Sequence, residues 1–185
     1  MNVYDFDGTI YKKDSSVELY KFVIKKNPII LFQCLPRQAW AILKYKLKLL
    51  TKEQMKEIYF SFLKYTSEEK IDLFVEKEMA NINSWYIEKK KDTDIIISAS
   101  PQFLVEKFAK KLGIQSVIAT GVDINSGKFL TKNCHDKEKV NRFKLQFPNG
   151  KIDDFYSDSK TDVYLAKLAK NAYRVAKNKL EKWEI

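Results

Sequence analysis

The sequence is poor in the residues that build thiolate, disulfide and imidazole frameworks: its 185 residues include two cysteines and one histidine. Cys34 and Cys134 lie far apart with no CxxC pairing, which argues against a zinc ribbon or a disulfide-stapled fold and predicts two free thiols in a reducing compartment. Long apolar runs are missing as well. Pro28 to Phe32 and Ala39 to Leu43 fall far short of the roughly 20 residues that span a bilayer. Met1 opens no basic-then-apolar leader, because a short apolar strand carrying two aspartates follows it at once. A cytoplasmic protein without an integral membrane segment is expected. There is no internal repeat and no low-complexity linker, so one compact unit is expected rather than tethered pieces.

Acidic residues are absent from one long stretch, between Glu18 and Glu53, where Lys21, Lys25, Lys26, Arg37, Lys44, Lys46, Lys48 and Lys52 stand among aliphatic and aromatic side chains. The whole chain carries a net charge of +10. Such a field attracts phosphates, nucleic acids or acidic membranes without choosing among them, and it also serves solubility. Hydrophobic residues make up 45% of the chain, enough for one sizeable core.

Short strands are predicted at residues 2 to 5, 94 to 98, 116 to 120 and 152 to 157, with a fifth at Ala172 to Ala176. Helical patterns at Pro101 to Leu112 and Lys137 to Phe147 alternate with them, which points to a parallel sheet covered by helices, a three-layer α/β core. Ser100 and Pro101 are predicted as N-cap and first turn of one helix, with Leu112-Gly113 as its stop. Asp123 to Gly127 is turn chemistry and predicts a small hairpin. Residues 15 to about 88 break the alternation with helix signals only, including capping boxes at Thr51 to Gln54 and Thr66 to Glu69.

The first strand runs into Asp5-Phe6-Asp7-Gly8-Thr9. Residues i and i+2 of an extended segment project to one side, so both carboxylates face a point beyond the strand's carboxyl end, where open α/β sheets bind ligands. Alone, Asp7-Gly8 reads more simply as a turn. Three further positions follow other predicted strands. Ser98 ends one, where its hydroxyl and the following amides can hold phosphate oxygens. Ser100 competes for that role, but Pro101 accounts for Ser100 as an N-cap. Lys139 opens a helix whose apolar face is Val140, Phe143 and Phe147, and its ammonium can reach a phosphate, with Lys137 as the alternative. Tyr156-Ser157-Asp158 closes another strand, and Asp162 follows four residues on, where a first-turn helix carboxylate is the simpler role. Carboxylates crowded in one mouth need a cation, and an all-oxygen donor set favours Mg2+.

Taken together, Asp5-Phe6-Asp7-Gly8-Thr9, Ser98, Lys139 and Ser157-Asp158 with Asp162 resemble, in order, the four motifs of haloacid dehalogenase-like hydrolases. Ser98-Ala99-Ser100-Pro101, the stretch from Asn133-Cys134 to Lys139-Val140 and Tyr156-Ser157-Asp158-Ser159 are most similar to the phosphoserine-phosphatase-like branch. The resemblance implies a Rossmann-like core formed by residues 1–14 and 89–185, with residues 15–88 as a helical type 1 cap. It further implies a phosphatase with Asp5 as nucleophile and Asp7 as general acid and base. Ser98, Ala99 and Lys139 would bind phosphate. Asp5, the Asp7 carbonyl and Asp158 would hold Mg2+, and Asp162 would orient that shell. Serines flank Asp158 where many relatives have glycine, which bears on substrate more than on mechanism.

The implied substrate is a small phosphorylated molecule. A phosphotransferase passing the phosphoryl group to an alcohol is the nearest rival, and a nucleic-acid binder is suggested by charge alone, since no nucleic-acid motif is visible. For the basic stretch two readings stand. On a helix from Arg37, the residues Arg37, Lys44 and Lys48 form one stripe beside an apolar face of Trp40, Leu43, Leu47 and Leu50. That face either packs on other cap helices or lies on an anionic membrane surface, which would make a lipid phosphate or cell-envelope precursor the alternative substrate.

Overall fold

A computed structural model of the chain describes residues 1–176 and 179–185. Its centre is a six-stranded sheet in the order β3-β2-β1-β4-β5-β6, built from β1 (Val3–Tyr4), β2 (Ile95–Pro101), β3 (Ser116–Thr120), β4 (Ile152–Ser157), β5 (Ala169–Ala176) and β6 (Lys179–Lys182). All neighbouring pairs are parallel except β5 with β6. The antiparallel β6 was not expected from the sequence. Its Lys-Leu-Glu-Lys composition is that of a solvated tail, and it is a strand because it pairs with the edge of β5, Val175 opposite Leu180.

Alternation along the strands divides the interior into two layers. Tyr4, Ile96, Ala119 and Tyr156 face one side, whereas Val3, Ile95, Ile97, Ile118 and Phe155 face the other. The first side is covered by α6 (Gln102–Leu112) together with residues of the insertion. The second is covered by α7 (Lys137–Gln146) and α8 (Val163–Ala166), through Phe143 and Leu165. The three-layer α/β expectation is met.

The insertion is helical throughout. It comprises α1 (Ser15–Lys26), α2 (Ile29–Lys46), α3 (Lys52–Tyr59), a 3-10 segment at Phe60–Tyr65, α4 (Glu68–Glu78) and α5 (Ser84–Lys89). Its second half lies against the core. Phe74 of α4 meets Phe108 of α6 edge-on at 6.2 Å, and Tyr86 of α5 meets Tyr4 of β1 at 4.9 Å. Leu19, Ile30, Phe62, Ile71 and Phe74 share one continuous apolar cluster with the sheet face.

Two local expectations separate here. The box at Thr51 is formed, with Gln54 N donating to Thr51 Oγ1 at 3.2 Å and Thr51 N to Gln54 Oε1 at 2.9 Å. The box at Thr66 is not, because Ser67 is the N-cap of α4 and accepts from Lys70 N, while the Thr66 hydroxyl is buried without a partner among the described residues. The Thr66 register has Glu69 at the third helical position whereas the Ser67 register has Lys70 there, yet α4 begins at Glu68, one residue later than the motif implies, and Ser67 caps it without a reciprocal partner. Ser67→Ala is therefore expected to cost about 1 kcal/mol, the usual worth of an N-cap, and Thr66→Val nothing or a slight gain. Thermal melts of the two variants check the assignment.

The expected stripe from Arg37 is also corrected. α2 ends at Lys46 and Lys48 has φ 59°, so Lys48 and Leu50 leave the helix before they can extend either face. Packing on the rest of the insertion is made instead by Ile30, Cys34, Gln38 and Ala41. Trp40, Leu43 and Leu47 point to solvent. The predicted hairpin is present as a single bridge between Val122 and Phe129, and Phe129 N donates to Glu57 Oε1 of α3 at 2.8 Å, joining hairpin to insertion.

Candidate active site

The site is assembled at the carboxyl ends of β1, β2 and β4. Asp5 N donates to Tyr156 O at 2.9 Å, which continues the β1–β4 ladder past Tyr4 and brings the Asp5 carboxyl out at the sheet's end. The chain then turns sharply, with Gly8 at φ +69°. Thr9 Oγ1 accepts from Asp158 N at 2.9 Å and ties this loop to the end of β4.

Lys139, in the first turn of α7, is buried with its Nζ donating to Asp5 Oδ1 at 2.9 Å and to Asp162 Oδ2 at 2.7 Å. Ser157 Oγ donates to the same Asp162 oxygen at 2.7 Å. Of the two candidate lysines Lys139 is the one beside Asp5, whereas Lys137 Nζ sits over the Tyr164 ring, 5.1 Å from its centroid. Asp162 lies in a 3-10 turn at Lys160–Asp162, but its carboxylate works as an acceptor for Lys139 and Ser157 rather than as a cap.

Asp7 is held from two sides. Its Oδ1 accepts from Ser15 N at 2.7 Å, and the Ser100 hydroxyl donates to its Oδ2. Ser100 is thus not the helix cap expected from the sequence: β2 runs on through Pro101, α6 starts at Gln102 and no side chain caps it. Ser98 was expected to end its strand but lies within β2, which runs three residues further; its hydroxyl accepts from Ser100 N at 3.1 Å and the residue lines the site. Ala99 O accepts from Thr120 Oγ1 at 3.0 Å and from Lys56 Nζ at 3.3 Å.

Asp5, Asp7, Ser98, Ala99, Lys139, Asp158 and Asp162 all line one cavity of about 500 Å³. Ser100, the rival of Ser98, lines it too, whereas Lys137 does not. Not singled out from the sequence are Asp14 and His135, and from the helical insertion Lys56 and Tyr59. Lys56 had no distinguishing signal in a chain with 34 Lys and Arg residues. His135 is at the rim, its Nε2 3.2 Å from Lys52 Nζ and 3.3 Å from Thr161 Oγ1.

Burial governs the electrostatics. It pushes Asp5 up to about 7, with Asp162 and Asp7 adding to the rise and Lys139 opposing it. It pushes Asp7 up to about 6, with Asp14 adding while Ser100 and Ser15 oppose. Asp158 is likewise raised by burial and by Asp162. Burial works against the Lys139 ammonium, yet Asp5 and Asp162 more than offset it and hold the lysine charged. Lys56 is pulled down to about 8 by burial and by Lys52. The cavity therefore holds more carboxylate than its own cations neutralise.

That imbalance suits a divalent ion. Lys139 takes one oxygen of Asp5, and among the described residues no hydrogen bond or ion pair from another residue reaches the second oxygen or the Asp158 carboxylate. A Cβ built on Gly8 would stand 2.5 Å from Asp158 Cγ, so the glycine is what lets Asp158 lie against the Asp7-Gly8 backbone. Among the described residues no three His, Cys, Asp or Glu side chains form a ready-made metal cluster. The implied set needs only two carboxylates with one backbone carbonyl, and all its donors are oxygen.

A family model described as haloacid dehalogenase-like hydrolase matches residues 3–167. The chain belongs to this family. Solved structures similar to this hydrolase include a protein of unknown function from Bordetella pertussis Tohama I, with 19% identity over 93% of this chain and 87% of that one, TM-score 0.73. A phosphoserine phosphohydrolase-like protein from Francisella tularensis has 18% identity over 93% and 86%, TM-score 0.60. A substrate-bound phosphoserine phosphatase has 17% identity over 92% and 82%, TM-score 0.58. At such identities the likeness is one of fold. No curated protein matches the chain significantly.

Proposed function

We propose that the chain is a Mg2+-dependent phosphatase that hydrolyses a small phosphomonoester through an aspartyl-phosphate on Asp5. The observation that carries this reading is the buried Asp5 carboxylate, fixed by Lys139 and exposed to the cavity on its other oxygen, with Asp7 beside it. Asp5 attacks phosphorus in line, and a covalent intermediate splits one hard displacement into two easier ones. Asp7, whose carboxyl is raised to about 6, keeps a protonated fraction near neutral pH, and that form gives its proton to the leaving oxygen. In the second half it takes a proton from the water that hydrolyses the intermediate. Ser98, the Ala99 amide and Lys139 bind the phosphoryl oxygens, where transition-state charge spreads.

Asp5, the Asp7 carbonyl and Asp158 would hold the metal, which when bound neutralises carboxylate and phosphate charge so that the two anions can approach. Asp162 keeps Lys139 oriented. With Cys34 and Cys134 both buried and unpaired, the reading is of a cytoplasmic enzyme. EDTA is expected to abolish turnover of an aryl phosphate and added Mg2+ to restore it. Full activity after exhaustive chelation would remove the metal from the proposal.

A further inference from the structure

α2 is apolar on two opposite sides. Ile30, Cys34, Gln38 and Ala41 pack inward, whereas Ile29, Phe32, Pro36, Trp40, Leu43 and Leu47 recur at spacings of three and four and face solvent. Phe32 is 83% exposed, Trp40 57% and Leu47 60%. A row of large exposed apolar side chains on one helix marks a surface that meets something.

Cations border this row. Arg37 and Lys44 flank it along the helix, Lys44 Nζ lying 5.5 Å from the Trp40 ring centroid, and Lys46 and Lys48 stand at its end. No acidic residue occurs between Glu18 and Glu53. A second copy meeting this face about a twofold axis would set these cations against themselves, which like charges oppose. An anionic lipid surface complements both features, with acyl chains for the apolar row and head groups for the cations. No helix among the described residues is long and apolar enough to cross a membrane, so the contact is one along the surface.

We infer that the outer face of α2 docks the protein on anionic phospholipid bilayers. The inference goes beyond the proposed reaction and does not depend on it. It is tested by flotation with phosphatidylcholine vesicles, with and without phosphatidylglycerol. The protein is expected to float with the phosphatidylglycerol vesicles only, and its binding to weaken by on the order of tenfold or more as salt shortens the Debye length. The double variant F32E/W40E is expected to stay at the bottom of the gradient while keeping the wild-type circular dichroism spectrum. Leu145→Glu, a control at a residue of α7 that is 83% exposed, is expected to float like the wild type. Failure of the wild type to float with phosphatidylglycerol, or flotation of F32E/W40E like the wild type, would overturn the inference. So would a dimer in solution that F32E/W40E dissociates, which would make the occupant a second copy. Since flotation reads binding alone, a protein that floats without phosphatase activity would sink the proposed reaction and leave this inference standing.

Discussion

Asp5→Asn is expected to lower turnover of an aryl phosphate by on the order of 10⁴-fold or more while leaving the fold intact. The amide has the shape of the carboxyl, and its oxygen can still accept from Lys139, so the packing around residue 5 need not change. What disappears is the anionic oxygen that would attack phosphorus. Because burial already opposes the charged form of Asp5, removing that charge relieves a desolvation cost even as Lys139 loses half of its counter-charge. The melting temperature should accordingly move little. Turnover and melting measured on the same preparation separate the chemical role from a structural one. A variant within about tenfold of wild-type turnover would mean that Asp5 is not the nucleophile.

Lys139→Met is expected to be damaging in a different way. The methionine matches the length of the lysine stem but leaves Asp5 and Asp162, both buried, without the cation between them. Breaking a buried pair from one side typically costs about 3–5 kcal/mol, so a large fall in melting temperature should accompany loss of activity. The variant should also steepen an existing pH dependence. Burial already holds Asp5 above its unfolded value, and without Lys139, which opposes that rise, its carboxyl is pushed higher still in the folded state. The folded state then binds more protons than the unfolded state, and stability falls as pH rises. Melting temperature should therefore increase on acidification from about pH 7.5 to about 5.5, and adding Asp162→Asn should recover part of the lost stability at the higher pH. Chemical denaturation across that range checks both points, and a single variant as stable as the wild type would contradict the ion-pair role of Lys139.

Much of the site was legible because its chemistry depends on positions that secondary structure fixes. Asp5 and Asp7 are two residues apart at the end of a buried strand, and Asp158 follows another strand, so topology alone sets them at one end of the sheet. Lys139 could be separated from Lys137 only in three dimensions, where one lysine is buried between two carboxylates and the other lies over Tyr164. Ser100 was misread because a local rule, serine before a proline-led helix, competes with a partner that is 93 residues away in the chain. Lys56 was invisible for a related reason. Its place over the site depends on how α3 packs against the core, and nothing in its immediate neighbours encodes that. The outward row of α2 was only half seen, because a helical pattern identifies apolar faces without saying which one is covered.

The hydrogen bond from Ser15 to Asp7 links two things that would otherwise be independent. The helical insertion begins at Ser15, and the amide of that residue, like the Ser100 hydroxyl, favours the ionised form of Asp7. Drawing that amide away would strengthen Asp7's hold on its proton. On the proposed assignment, the proton affinity of the acid is thereby coupled to where the insertion begins, so that a change in its first turn is read out at Asp7.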